Sequence, residues 1–152
     1  MFRGLTAINL DTKSRLAMPM KYREQLNTLC AARLIITIDT EQCCLLLYPL
    51  NQWQVIEEKI STLPSFNSAA RRIQRLLLGH ATEIELDANG RFILPATLRD
   101  YAELKKKIML VGQGNKFEIW DDATWRKCRD AWLAKPLKDE DSLPLELETL
   151  SL

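Results

Sequence analysis

The chain has 152 residues, of which 47% are hydrophobic and 27% are charged, and its formal net charge is +1 at pH 7. This composition is typical of a folded domain and excludes a disordered, collagen-like or Gly/Ser-rich chain. No apolar run approaches the roughly 18–20 residues of a membrane-spanning helix, so we expect neither a membrane span nor a secretory signal. Four cysteines without a Cys-x-x-Cys pair, together with a single histidine, predict a reducing cytoplasmic location, no cofactor and no metal site.

The charges are unevenly distributed along the chain. Residues 1–30 contain five basic and two acidic side chains, whereas residues 135–152 contain two basic and five acidic ones. The total charge therefore does not indicate a nucleic-acid-binding protein, but the basic amino-terminal region is compatible with one. We expect residues 135–152 to form an acidic tail.

Two segments of the chain repeat one pattern. Residues 9–23 read NLDTKSRLAMPMKYR and residues 85–99 read ELDANGRFILPATLR, so Asp, Arg, Pro and a second Arg recur in the same order. LLLYPLNQW at 45–53 and FEIWDDATW at 117–125 extend the match. Several motifs that recur in order indicate a duplicated supersecondary unit. They predict a first repeat at 1–63, a linker helix at 64–80 and a second repeat at 81–134.

Hydrophobic periodicity and turn residues predict the same elements in both repeats. A strand leads into a tight turn, for which Asn89-Gly90 is a strong signal, and a short strand, a helix, two strands and a closing helix follow. In the first helix, Tyr22, Leu26 and Leu29 are predicted to face the core. In chain order the predicted elements are Leu5–Leu10, Leu16–Met18, the helix after Pro19, Leu34–Ile38, Cys44–Tyr48, the helix from Asn51, the linker helix Ser68–Leu78, Thr82–Leu86, Phe92–Leu94, the helix after Pro95, Ile108–Val111, Phe117–Trp120 and the helix from Asp122.

The fold class follows from these elements. A single repeat of about 50–60 residues would bury only a marginal hydrophobic core. We therefore predict a mainly β fold with flanking helices (α+β). In this fold the two repeats interlock around a pseudo-twofold axis and share a small β-barrel.

The candidate functional site is a basic stretch of the first repeat, with the side chains of Asp11, Lys13, Arg15, Lys21 and Arg23. Asp11 is placed to stabilise the turn by accepting backbone N–H groups or by pairing with Arg15, as Asp87 is in the second repeat. Arg15 would project from a rigid β scaffold, and Lys21 and Arg23 would extend it into a cationic ridge. Such a ridge can hold phosphates, and arginine can read guanine in the major groove.

Other interpretations remain open on these residues alone. Asp-x-x-x-Arg is also compatible with a turn-stabilising ion pair on a solvated surface, and Arg91 and Arg99 are compatible with structural roles. An antitoxin-like protein-interaction module that acts through the acidic tail is the alternative function. An enzyme is not favoured, because no nucleophile–base pair, P-loop or metal-ligand spacing is visible.

Several motifs together resemble the bacterial MraZ family. They are the opening MFRG, the paired segments Asp11–Arg15 and Asp87–Arg91, RRIQRLLLGHA at 71–81 and VGQGNKFEIWD at 111–121. The resemblance covers essentially residues 1–134, and the sequence departs from it at Ser14, where a glycine is usual. It implies two fused swapped-hairpin units of the SpoVT-AbrB type.

The resemblance also implies a function. Members of the family are ring-shaped homo-oligomers that regulate transcription of the division and cell-wall gene cluster by binding direct repeats in promoter DNA. This implies a cytoplasmic, nucleoid-associated protein whose partners are double-stranded DNA and further copies of itself. We expect no association with a membrane. The DNA-binding residues that it implies are Lys13, Arg15, Lys21 and Arg23, with Arg3 and Arg91 as weaker candidates.

Overall fold

A computed structural model of the protein describes residues 1–137 and 142–151. The fold is mixed α+β and dominated by strands, which confirms the predicted class. The elements in chain order are β1 (Phe2–Asn9), β2 (Arg15–Ala17), α1 (Met20–Cys30), β3 (Arg33–Ile38), β4 (Leu45–Pro49), α2 (Leu50–Ser61), α3 (Ser68–Ile73), β5 (Thr82–Glu85), β6 (Arg91–Ile93), α4 (Ala96–Tyr101), β7 (Lys107–Gly114), β8 (Phe117–Asp121), α5 (Asp122–Ala134) and α6 (Leu145–Glu148). Contacts divide the chain into two units, Met1–Asp122 and the segment that begins at Ala123.

Strand pairing joins the two repeats. Six strands form an antiparallel sheet in the order β1-β7-β8-β4-β3-β5, and β2 and β6 form a separate two-stranded ribbon. The β3–β4 and β7–β8 pairs are hairpins within a repeat. The ladders β1–β7, β2–β6, β3–β5 and β4–β8 each join one repeat to the other. The strand order is symmetric, because replacing each strand by its equivalent in the other repeat gives the same order read from the other edge.

The six-stranded sheet does not close into the predicted small barrel. In the described part of the chain β1 pairs with β7 alone and β5 with β3 alone, so the sheet keeps two edges. The reason lies in the turns at Asp11 and Asp87. The strands that follow these turns, β2 and β6, leave the sheet and pair with each other.

The main hydrophobic core lies between the ribbon, one face of the sheet and helices α1 and α4. Leu16 and Phe92 enter it from the ribbon, with 0% and 5% of their surface exposed. In α1, Tyr22 and Leu26 are buried as predicted. The expectation for Leu29 is wrong, because this residue lies in the last turn of the helix and is 39% exposed.

The opposite face of the sheet is covered by α2 and the linker. Ile35, Tyr48 and Trp53 form a second buried cluster there. The hydroxyl of the buried Thr37 donates a hydrogen bond of 2.8 Å to the carbonyl of Leu77. The helix predicted at Ser68–Leu78 is present, with α3 followed by a π-helical second half, Gln74–Leu78.

The second unit contains α6 and all of α5 except Asp122. On α5 the rings of Trp125 and Trp132 meet edge to face, with centroids 6.0 Å apart. The predicted acidic tail includes residues 138–141 and 152, which lie outside the described residues. Within the residues that are described, no helix combines the length and the apolarity that crossing a bilayer requires.

Gly112 marks the closest approach of β7 to β1. A Cβ atom at this position would lie 2.5 Å from the backbone nitrogen of Arg3, so one of the paired strands would have to move. We expect Gly112→Ala to lower the free energy of unfolding by about 1–3 kcal/mol, measured by urea denaturation.

Gly79→Ala is the matched control for this substitution. A Cβ atom at Gly79 meets nothing within 4 Å. The control should leave the free energy of unfolding unchanged or raise it by up to about 1 kcal/mol. Equal losses in both variants would contradict the packing of β1 on β7.

Candidate nucleic-acid interface

Asp11 organises the turn between β1 and β2. Its Oδ1 accepts hydrogen bonds from the backbone N–H groups of Lys13 (2.8 Å) and Arg15 (2.9 Å), and its Oδ2 accepts one from Nε of Arg15 (2.5 Å). The N–H of Ser14 donates to the Asp11 carbonyl at 3.1 Å. These bonds, above all the one from the backbone N–H of Arg15, hold the pKa of the Asp11 carboxyl below its ordinary value. The carboxylate therefore fixes both the turn and the first part of the Arg15 side chain.

Asp87 organises the second turn in the same way. Its Oδ1 accepts from the backbone N–H groups of Asn89 (2.8 Å) and Arg91 (2.9 Å), and its Oδ2 lies 3.6 Å from Nε of Arg91. The backbone bond from Arg91 is the largest cause that lowers the pKa of Asp87. Gly90 has a φ of 71° and Ser14 a φ of 59°, so both turns adopt the same left-handed conformation although the residues differ.

The ribbon holds Arg15 and Arg91 outwards. The two arginines lie on either side of the Leu16–Phe92 pair. Since successive side chains of a strand alternate between its faces, the burial of Leu16 and Phe92 leaves both arginines on the outer face. Their side chains are 30% and 33% exposed. Both line a cleft of about 380 Å³, together with Asp87.

The predicted cationic ridge is not one continuous surface, because Lys21 lies near Gly4 and away from the Asp11 turn. Its Nζ is 4.8 Å from the ring centroid of Tyr22 and would be 3.5 Å from a Cβ atom at Gly4. The Tyr22 hydroxyl donates a hydrogen bond to the carbonyl of Arg3. Gly4 and Asn9 are about 17 Å apart along an extended strand. Lys21 and Arg3 therefore share the start of β1, at the opposite end from the Asp11 turn.

Arg23 contacts the second turn and not the first. Its Nε donates to the carbonyl of Met18 at 2.7 Å, and its Cδ would be 2.5 Å from a Cβ atom at Gly90. Arg99, at the equivalent position of the second repeat, reaches the first turn and donates from Nη1 to the hydroxyl of Ser14. Each turn is therefore covered by an arginine of the other repeat.

Two further basic residues, Lys106 and Arg99, are not among the DNA-binding residues predicted from the sequence. Both line a cleft beside the first turn, together with Asp11 and Thr12. The carbonyl of Lys106 accepts a hydrogen bond of 2.8 Å from the N–H of Leu10. The run of three lysines at 105–107 is visible in the sequence. Its place beside the first turn follows from pairing between the repeats, which periodicity does not reveal.

One group of potential metal ligands occurs within residues 1–137 and 142–151, formed by Asp39, Cys44 and Glu118, whose ligand atoms lie within 4.8 Å of one another. Both carboxylates already accept hydrogen bonds of 2.8 Å, Asp39 from the N–H of Glu41 and Glu118 from the indole of Trp120. Burial, and then the charges of Glu118 and Asp39, raise the pKa of the Cys44 thiol.

The Asp11 carboxylate should make stability depend on pH. Because the pKa of Asp11 in the folded protein lies below its ordinary value of 3.8, its contribution is present above that pH. It is lost as the pH falls through the lowered pKa. We expect Asp11→Asn to flatten the loss of stability between about pH 5 and pH 2, measured by urea denaturation at each pH.

Asp87→Asn should flatten the same pH dependence, because the pKa of Asp87 is lowered by the same kind of backbone bonds. If both asparagine variants lose stability as steeply as the unsubstituted protein, the carboxylates do not hold the turns.

Comparison with known proteins places these features in a family. The family model of the MraZ protein, described as antitoxin-like, matches the chain twice, at residues 1–76 and 77–142, which confirms the internal repeat. Relatives named transcriptional regulator MraZ match over 100% of both chains. They come from Legionella pneumophila (strain Corby; 55% identity over 152 residues), Coxiella burnetii (strain Dugway 5J108-111; 53% over 152) and Thioalkalivibrio sulfidiphilus (strain HL-EbGR7; 53% over 153). The chain belongs to the MraZ family.

Proposed function

We propose that the protein is a sequence-specific DNA-binding transcriptional regulator, whose contact surface is the ribbon β2–β6 with the Asp11–Arg15 turn. The observation that carries the proposal is the outward placement of Arg15 and Arg91 on a ribbon anchored in the core by Leu16 and Phe92. The relatives' name, transcriptional regulator, supports a regulatory and not an enzymatic role. Pairing between the repeats supports two fused swapped-hairpin units, at 1–63 and 81–134, joined by the linker at 64–80.

Arg15 is suited to read a base. Its bond to Asp11 engages Nε and fixes the plane of the guanidinium, while the side chain remains partly exposed. A planar fork of N–H donors held in this way matches the acceptors of guanine in the major groove, which is wide enough to admit a two-stranded ribbon. Lys13, exposed in the same turn, is placed to contact a phosphate.

The other basic candidates have lesser roles in this proposal. Arg3 and Lys21, both exposed at the start of β1, would contact phosphates at the flank of the binding site. Arg91 would contact DNA beside Arg15, from the same face of the ribbon. Arg23 would act from the second turn, where it lies over Gly90.

Charge compensation makes a single subunit a weak binder. Asp11 and Asp87 lie against Arg15 and Arg91 and offset part of their charge. Few phosphates are then neutralised per subunit, so affinity must come from several subunits at once. A ring-shaped homo-oligomer on direct repeats of a promoter makes the later contacts intramolecular. We propose that the protein forms this ring, that its target is the division and cell-wall gene cluster, and that it is cytoplasmic and nucleoid-associated.

Arg15→Ala should reduce affinity for a fragment of the gene's own upstream region by at least about tenfold, because each lost base contact costs about 1–3 kcal/mol. Fluorescence anisotropy measures the affinity, and native mass spectrometry should show an unchanged assembly. Arg129→Ala is the matched control. It removes an exposed arginine that is likewise paired with a carboxylate, Asp130, at 2.9 Å, and we expect wild-type affinity. Wild-type affinity in Arg15→Ala would contradict the proposal.

Arg15→Lys separates base reading from charge. Lysine keeps the positive charge but lacks the planar fork, so binding should stay equally salt-dependent while discrimination against an altered box falls about tenfold. Lys13→Gln should instead weaken binding to all sequences alike and reduce the slope of log affinity against log salt by about one. Titrations at several salt concentrations measure both effects. Undiminished discrimination in Arg15→Lys would show that Arg15 does not read a base.

The antitoxin-like description of the family favours a second candidate, a protein-interaction module that acts through the acidic tail at 135–152. Removal of the tail separates the two functions. Loss of a stable hetero-complex in a pull-down, with DNA affinity unaltered, would favour the interaction module.

A further inference from the structure

We propose that Arg99 is a positioning residue for DNA binding. It reaches from α4 of the second repeat to Ser14 in the turn of the first repeat, and it holds the turn in the conformation that aims Arg15. The inference rests on the function proposed above, because it assigns to Arg99 an action through Ser14 on the same DNA surface.

The second repeat holds Ser14 at two atoms. Nη1 of Arg99 donates to the Ser14 hydroxyl, and the N–H of Leu94 donates to the Ser14 carbonyl at 3.0 Å. Nε of Arg99 donates to the carbonyl of Leu104 at 3.1 Å, which fastens the guanidinium to its own repeat. Ser14 is therefore bonded to a scaffold outside its own turn.

The two turns differ in what they require of this arginine. Gly90 has no Cβ atom and therefore adopts its positive φ of 71° at little cost. Arg23 occupies the space where a Cβ atom would lie. Ser14 has a φ of 59°, which a residue with a Cβ atom adopts only at a cost. The hydroxyl of Ser14 offers Arg99 an acceptor that Gly90 cannot offer Arg23. The bond to Arg99 therefore stabilises the first turn, whose sequence favours the left-handed conformation less than the sequence of the second turn does.

Ser14 is the link between this bond and the DNA surface. It lies between Lys13 and Arg15, whose backbone N–H groups both donate to the Asp11 carboxylate. A change of φ at Ser14 would turn these two basic side chains relative to each other. Arg99 can therefore affect DNA binding without touching DNA.

A double-mutant cycle tests the inference. Arg99→Gln and Ser14→Ala should each reduce affinity for the promoter fragment by up to about tenfold, the scale of one hydrogen bond from a charged group. The double variant should bind no more weakly than either single variant, because both substitutions remove the same bond. Losses that multiply in the double variant would overturn the inference, since Arg99 would then act independently of Ser14.

Arg23→Gln is the matched control in this cycle. It removes the equivalent arginine of the other repeat, which contacts Gly90 and not Ser14. Its effect on affinity should multiply with that of Ser14→Ala, because sites without a shared partner act independently. Coupling of Arg23→Gln to Ser14→Ala as strong as that of Arg99→Gln would overturn the inference.

Amide hydrogen exchange tests the turn without DNA. Arg99→Gln should accelerate exchange in residues 11–15 and leave residues 87–91 unchanged, while circular dichroism reports an intact fold. Unchanged exchange at 11–15 would overturn the inference. If the unsubstituted protein binds no promoter DNA, the proposed function fails, and with it the role of Arg99. If that protein binds and Arg99→Gln binds equally well, only the role of Arg99 fails.

Discussion

Each short strand that follows an Asp turn finds its pairing partner in the other repeat. Because β2 pairs with β6, Leu16 and Phe92 pack side by side into the core. Arg15 and Arg91 therefore lie on the opposite, solvent-facing side of the ribbon. The same exchange brings Arg23 to the second turn and Arg99 to the first. Neither repeat alone forms the candidate site, since each turn belongs to one repeat and is contacted by an arginine of the other.

Properties that depend on local sequence could be predicted. The repeat, the eight strands of residues 1–137 and the helices that follow the prolines could be read from periodicity and turn residues, because these features act over a few residues. Tyr22 and Leu26 are buried, as their helical spacing predicts. Leu29 shares that spacing, but its exposure depends on where the helix ends against the sheet.

The arrangement of the site could be predicted only in part. Asp11 and Arg15 are four residues apart in one turn, so their contact follows from local geometry. The division of the ridge does not, because Lys21 lies beside Gly4 and Arg23 lies over Gly90, a contact that depends on long-range pairing between the repeats. The same long-range pairing leaves the sheet open where a barrel was expected. Cationic side chains of both repeats lie at the first turn, since Lys106 and Arg99 line a cleft with Asp11.

The ladder that joins Phe2 to Gly114 also determines when the protein can fold during synthesis. The chain leaves the ribosome from its amino terminus, so β1 emerges long before the strand that completes it. At about 5–20 residues per second, the delay is roughly 5–20 s. During part of that time β3, whose residues from Leu34 to Ile38 are all buried in the finished fold, has no β5 beside it. A nascent chain with bare, apolar strand edges is a natural client for a chaperone until its second half arrives.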